Sequence, residues 1–454
     1  MIKIHEIKSI AALVLPLMAA FLAQKGMQFI DTLMMGWIGP DALAAAALGT
    51  SIFMTILLFC MGTLSSVGVF IVRAKGANNT KAIQSSLQHG LCLALFISFP
   101  CMLIIWFAPC VLSSIGEDPI VVKNVILLLH GLVWGFPGFL LFLVMREFIS
   151  AFSLTRVVMF VALGSMPITF VANYILIYGK YGLPQSGIAG IGYAGAVVMW
   201  FMFLCLFGYS RKKHLLKGYL CFKSFYLDWK KTREILLLGI PSGILLILES
   251  GMFLFAAVSM GYFGVDALAA HQVAMQCASI AYAVPFAISM ATALQVGHAI
   301  GAKNDQLARR AAFVGLAIGV ILTLLIAALF ILVPAQLAGI FLNGKEHGYR
   351  EITQLATSFL MIAAIFQCFD GIQSIANGAL RGLKDTLIPM YLSIGCYWCL
   401  GIGSAYYFAF HTHFAAKGIW YGFTLGLSSA GVILTARLLN RLKYVRQKGM
   451  NSIH

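Results

Sequence analysis

Charge is scarce in this chain of 454 residues. Only 10% of its residues are charged, where a soluble domain carries about a quarter. Acids are scarcest, 15 Asp and Glu against 31 Lys and Arg. Extended hydrophilic segments are missing too, apart from one at about 210–234. These absences exclude a water-soluble protein. Also absent are a Gly-rich phosphate loop, a Ser/His/Asp grouping and a cluster of metal ligands. An enzyme is therefore not expected, and the chain has no nucleotide motif through which ATP hydrolysis could drive it. The ten Cys lie almost all in apolar runs, where thiols behave as small apolar groups. Cys396 and Cys399 have C-x-x-C spacing but no second pair, and His411-Thr-His413 is an equally weak metal signal.

What is abundant is apolar. Hydrophobic residues make up 61% of the sequence and the mean hydropathy is +0.93. Twelve runs are long enough to cross a bilayer as helices. They fall at about 9–35, 44–72, 86–112, 121–145, 157–178, 188–209, 235–262, 268–296, 311–340, 352–380, 386–410 and 418–438. The first is too long and too rich in Gly and Met for a removed signal peptide. The net charge of +16 does not call for nucleic acid, because the cations alternate between loops. Of the 31, 25 fall on one set of loops and the termini, including Arg146, Arg156 and the run from Arg211 to Arg233. Five (Lys123, Lys180, Lys345, Arg350 and Lys417) fall on the other set, and Lys25 lies inside a run. The positive-inside rule then places both termini in the cytoplasm.

A ten-residue stretch, Gly36–Ala45, returns as Gly261–Ala270. The same offset of 225 pairs Pro16 with Pro241, Gly76-Ala77 with Gly301-Ala302, Asn79 with Asn304 and Gly90 with Gly315. No gap is needed across about 75 residues. One half is a diverged copy of the other, as in many secondary transporters. Six runs precede the hydrophilic segment and six follow, so both halves enter the membrane from the same side. The expected fold is all-α and integral to the membrane: twelve transmembrane helices in two parallel six-helix repeats. The expected division is an N-terminal lobe over 1–210, a basic cytoplasmic linker over 211–234 and a C-terminal lobe over 235–454. Pro16, Pro137, Pro167, Pro241, Pro285 and Pro389 fall inside runs, where they permit kinks.

Only three acids, Asp31, Glu249 and Asp370, are placed deep in the apolar runs. An intramembrane acid is expensive and marks function by default. Gln24, Gln28 and Asp31 follow at i, i+4 and i+7 on one helix face. At the same places the duplicate helix has Glu249, Phe253 and Ala256, so the fold repeats and the chemistry does not. In the tenth run Asp370, Gln373, Ser374 and Asn377 again share a face, with Gln367 one turn before them. Glu249 and Asp370 belong to one half. They either meet in one cavity, sharing a proton or holding Na⁺, or stand apart, each paired locally. Thr169 and Asn173 are oxygen-bearing partners for Asp31, or ordinary interhelical hydrogen bonders. Gln272, at Ala47's counterpart position, is a further second-half candidate. Lys25 lies well around the helix from Asp31, which disfavours a direct ion pair.

In its motifs the chain resembles the multidrug and toxic compound extrusion (MATE) transporters, in particular their NorM-like bacterial branch. The resemblance is carried by Gln28-Phe-Ile-Asp31-Thr-Leu-Met-Met-Gly36, by Asn173–Pro184, and by Glu249 after Pro241. Ala270-His-Gln-Val273, and Asp370 followed by Gly378–Gly382 and Asp385-Thr386, complete it. It implies a V-shaped pair of six-helix lobes in the bacterial inner membrane and antiport of H⁺ or Na⁺ against small organic cations. It also implies that Asp31 serves the first lobe, with Asn173 near it, and that Glu249 and Asp370 serve the second. Many NorM-like proteins have Asn where this chain has Thr169, and a small or hydroxyl residue where it has Lys25. No cofactor beyond the coupling ion, no nucleic-acid partner and a monomer in membrane lipid are expected. The alternative is a flippase of lipid-linked precursors with a related fold. Such proteins grip phosphates with basic residues, whereas the cavity candidates here are acidic.

Overall fold

The structure, a computed structural model, describes residues 4–182, 184–220, 228–342 and 349–451. Twelve helices among the described residues are long and apolar enough to cross a membrane. They are α1 (Ala12–Ile38), α2 (Pro40–Gly76), α3 (Thr80–Ser114), α4 (Pro119–Ala151), α5 (Thr155–Tyr178) and α6 (Gly187–Lys212), then α7 (Trp229–Gly261), α8 (Val265–Gly301), α9 (Asp305–Leu332), α10 (Tyr349–Gly382), α11 (Leu387–Phe410) and α12 (Ala416–Tyr444). Each of the twelve apolar runs overlaps one of them, although the ninth, about 311–340, runs past the end of α9 into a short helix at Pro334–Gly339. The chain falls into two compact units. The first is Leu15–Gly243, and the second is Ile244–His454 with Met1–Val14. The division cuts through α7, whose first turns pack within the first unit: the Ser66 hydroxyl donates to the Ile235 carbonyl at 3.1 Å.

The duplication is visible bond by bond. The repeated ten residues form a corner between two helices in each half. Its pivot is Gly39 at φ 149° in one half and Gly264 at φ 96° in the other, backbone conformations open to glycine. At the next corner the amides of Ala77, Asn78 and Asn79 donate to the carbonyls of Arg73, Lys75 and Ala74. Those of Ala302, Lys303 and Asn304 donate to His298, Ile300 and Ala299, each 225 positions later. Asn79 and Asn304 then cap α3 and α9, each accepting a backbone N–H at 2.9 Å. Further on the offset changes. Ser153 and Lys384, 231 apart, share a φ near 62°. Their turns make matching bonds, Leu154 to Ile149 and Asp385 to Leu380.

Three spans are interrupted. α4 passes through a 3-10 turn at Val133–Gly135 just before Pro137. α8 breaks at Tyr282, between helices Val265–Ala281 and Ala283–Gly301, because Pro285 offers no N–H to the carbonyl four residues back. α11 widens into a π-helix over Gly395–Ile402. Pro16, Pro167 and Pro241 lie inside unbroken helix instead.

Arg146 is no loop residue: it lies inside α4, 5% exposed, beside Glu147 at 4%. Its Nη2 meets Glu147 Oε1 at 3.0 Å. Glu147 is thus a buried acid beyond the three singled out. Its position one residue from an Arg made both look like the end of a span, whereas the helix runs on to Ala151.

Candidate functional site

The second unit gathers its two acids. Glu249 projects from the middle of α7 and Asp370 from α10, at 7% and 2% exposure. The Gln373 amide bridges them: Nε2 donates to Asp370 Oδ1 at 3.1 Å and also to Glu249. The Tyr282 hydroxyl stands beside Glu249 and 3.3 Å from Ser374 Oγ. Tyr397 OH donates to Gln373 Oε1 at 2.8 Å, and Ser289 Oγ to the Ser374 carbonyl at 2.7 Å. Four helices, α7, α8, α10 and α11, thus meet on one pair of carboxylates. Every donor described on the pair is neutral. Two buried carboxylates without a cationic partner among the described residues are a costly arrangement, one that an added cation would relieve.

Of the expected cavity residues, Gln373 stands against the acids and Ser374 beside Tyr282. Asn377 is half-buried on the same helix, with no contact to the acids described. Gln272 is exposed on α8, outside this cluster. Tyr282 and Tyr397 were missed. Both stand where a span is irregular, Tyr282 at the break in α8 and Tyr397 within the π-helix of α11. Such π segments are often found at functional sites, but a π turn has no sequence signature of its own. The same segment holds Cys396, which is buried, and Cys399, which is exposed, so the two thiols diverge. Among the described residues no group of three His, Cys, Asp or Glu could hold a metal ion.

The first unit holds Asp31. Asn173 on α5 donates from Nδ2 to Asp31 Oδ1 at 2.7 Å. Asn173 is fully buried, and its own Oδ1 has no partner. Thr169, one turn earlier, is buried as well, but its hydroxyl donates to the Ser165 carbonyl at 2.9 Å, not to the acid. Gln28 Nε2 points to Met54 Sδ at 3.2 Å, and Gln24 is half-buried. Lys25 is exposed, with Nζ 5.9 Å from the centre of the Phe21 ring. The stripe shares a helix face, but among the described residues Asn173 is the one shown hydrogen-bonded to the carboxylate.

Comparison with known proteins follows the same outline. The MatE family profile matches twice, over residues 16–175 and 241–407, one match in each repeat. A protein of Pseudomonas aeruginosa described as "Probable multidrug resistance protein NorM" is 37% identical over 431 residues, 95% of this chain and 88% of its own. The "Multidrug resistance protein NorM" of Burkholderia vietnamiensis is 35% identical over 432 residues, 94% of this chain and 92% of its own. Among solved structures, the eukaryotic MATE transporter AtDTX14 superposes with a TM-score of 0.87 at 21% identity, covering 98% of this chain and 99% of that one. A MATE protein in the bent conformation gives 0.88 at 19% identity over 98% and 97%. At these identities the structures speak for the fold alone.

Proposed function

Since this multi-pass membrane protein belongs to the MatE family of transporters, which are not enzymes, we propose that it is a cation-coupled antiporter. In this reading it exports small organic cations and drugs by alternating access, driven by H⁺ or Na⁺. The observation that carries it is the Glu249–Asp370 pair, two buried carboxylates served, among the described residues, by neutral donors. A proton or Na⁺ arriving between them cancels one negative charge. Its departure returns the pair to a costly state. The bonds that must readjust come from α7, α8, α10 and α11. Loading and unloading the cation therefore acts on four helices at once. Asp31 with Asn173 provides a second cation site in the first unit, where the unpartnered Asn173 Oδ1 is an available oxygen ligand.

Acids at the heart of both units favour positively charged cargo over phosphate-bearing lipid precursors. The coupling ion is the only cofactor this reading needs. The protein then sits as a monomer in the bacterial inner membrane, both termini in the cytoplasm, with lipid and no nucleic acid around it. Everted vesicles with pH and Na⁺ gradients imposed separately test the reading. Accumulation of a fluorescent organic cation should follow one of the two gradients and collapse when it is dissipated. Accumulation indifferent to both gradients refutes it.

A further inference from the structure

Besides Asn173 Oδ1, four buried polar atoms among the described residues of the first unit have no hydrogen-bond partner: Arg146 Nε, Ser150 Oγ, Thr155 Oγ1 and Ser210 Oγ. Their residues are 5%, 1%, 1% and 0% exposed. Hydroxyls in helices commonly return to a carbonyl one turn back, as Ser165 and Thr169 do here. These three do not. Such orphaned groups are rare in native structures and call for an occupant.

Helix register brings the four to one level. Arg146 and Ser150 are four residues apart and share a face of α4. Thr155 opens α5 directly after the tight turn that ends α4. α4 and α6 run side by side in the same direction. Cβ positions at Gly131, Gly135 and Gly138 meet Gly192, Ala196 and Trp200, a steady step of 61 or 62 residues. Carried onward, that step puts Ser210 level with the turn of α4 between Arg146 and Ser150. α5 and α6 are antiparallel, with Gly190 against Leu176. This pairing sets Ser210 beside the start of α5, where Thr155 stands. The three helices pack on one another.

The surroundings are basic. Arg73, Lys75, Arg156, Arg211 and Lys212 belong to the same end of the unit, and Lys75 Nζ reaches the Ala151 carbonyl at 2.9 Å. Glu147 occupies Nη2 of Arg146 and leaves Nε. Tyr219 lies against Phe148 and Phe152, ring centres 6.2 and 5.3 Å away, so the short segment before it roofs the inner end of α4. The second unit offers an internal comparison. Its equivalent turn places Asp385 where the first unit has Leu154. Arg437 and Arg441 hold the Asp385 carboxylate at 2.8 and 2.6 Å. That turn of the second unit carries a built-in oxyanion; the first unit has Leu154 there, and its Glu147 carboxylate is taken up by Nη2 of Arg146.

We propose that the junction of α4, α5 and α6 binds a phosphate-type oxyanion, either the headgroup phosphate of an anionic lipid or free phosphate. A guanidinium N–H and three rotatable hydroxyls are the donor set that several acceptor oxygens on one centre would satisfy. Water could serve the hydroxyls, but an oxyanion would also meet the ammonium of Lys75, which reaches the Ala151 carbonyl at the same corner.

The test is native mass spectrometry of the intact protein in phosphatidylcholine nanodiscs, titrated with phosphatidylglycerol or with inorganic phosphate. One equivalent should bind, and the Ser150→Ala/Ser210→Ala double variant should bind at least tenfold more weakly. Binding of phosphatidylglycerol alone assigns the site to lipid; binding of phosphate that competes with the lipid assigns it to the free anion. If the double variant does not fold, Thr155→Val is read in the same way. An unchanged affinity in the folded variants, or no bound equivalent of either probe, overturns the proposal and leaves the junction to water.

Discussion

At the scale of single residues, the Glu249–Asp370 pair is expected to act as a unit. Glu249→Gln and Asp370→Asn should each cut coupled efflux at least tenfold while the protein still inserts, and the double variant should be little worse, because groups that act together are not additive. Drug efflux assays with membrane-level quantification check this. Tyr397→Phe keeps the ring and removes only the hydroxyl that orients Gln373 at 2.8 Å. Efflux should fall several-fold without loss of folded protein, whereas unchanged efflux would make Tyr397 a packing residue. Lys25 is predicted to be neutral. It is exposed, and six residues along a helix put it about 9 Å from Asp31 in axial rise alone. Lys25→Thr should leave ion preference and pH profile unaltered in vesicle assays.

At the scale of elements, the duplicated corners should respond alike. Asn79→Ala and Asn304→Ala each remove a cap bond of 2.9 Å, worth about 1 kcal/mol. Thermal unfolding in detergent should show two losses of similar size. Gly39→Ala and Gly264→Ala meet no neighbouring atom within 4 Å, so any cost comes from φ alone, roughly 1–3 kcal/mol. These corners were legible in the sequence because a helix joint needs particular residues, a glycine pivot and an Asn cap, at fixed spacing. The spans were legible because a bilayer demands length and apolarity. The turn shared by Ser153 and Lys384 was not, since neither residue type announces a left-handed conformation and the offset had shifted from 225 to 231. Within the site, Gln373 and Ser374 could be read from helical spacing beside Asp370. Thr169 and Gln28 lay on the expected faces, yet they bond to Ser165 and Met54, because spacing fixes a face and leaves the partner open. Tyr282 and Tyr397 depend on a helix break and a π turn, which apolar periodicity does not register.

At the scale of the whole molecule, duplication has kept the frame and divided the chemistry. The first unit pairs Asp31 with a buried Asn, while the second joins two acids through one amide and two phenols. The two units should therefore fail differently. Asp31→Asn is expected to alter the dependence of efflux on the gradient while cation loading at the second-unit pair persists. Substrate-induced cation release from the purified protein tests that division, and with it the central claim, most directly. An organic cation is added to detergent-solubilised protein in weak buffer containing Na⁺, and released H⁺ and Na⁺ are recorded with a pH indicator and a Na⁺ probe. Wild type should release one of the two ions on addition of substrate, Asp31→Asn should still release the share held by the Glu249–Asp370 pair, and Glu249→Gln and Asp370→Asn should lose that share. Undiminished release from folded Glu249→Gln and Asp370→Asn would contradict the account.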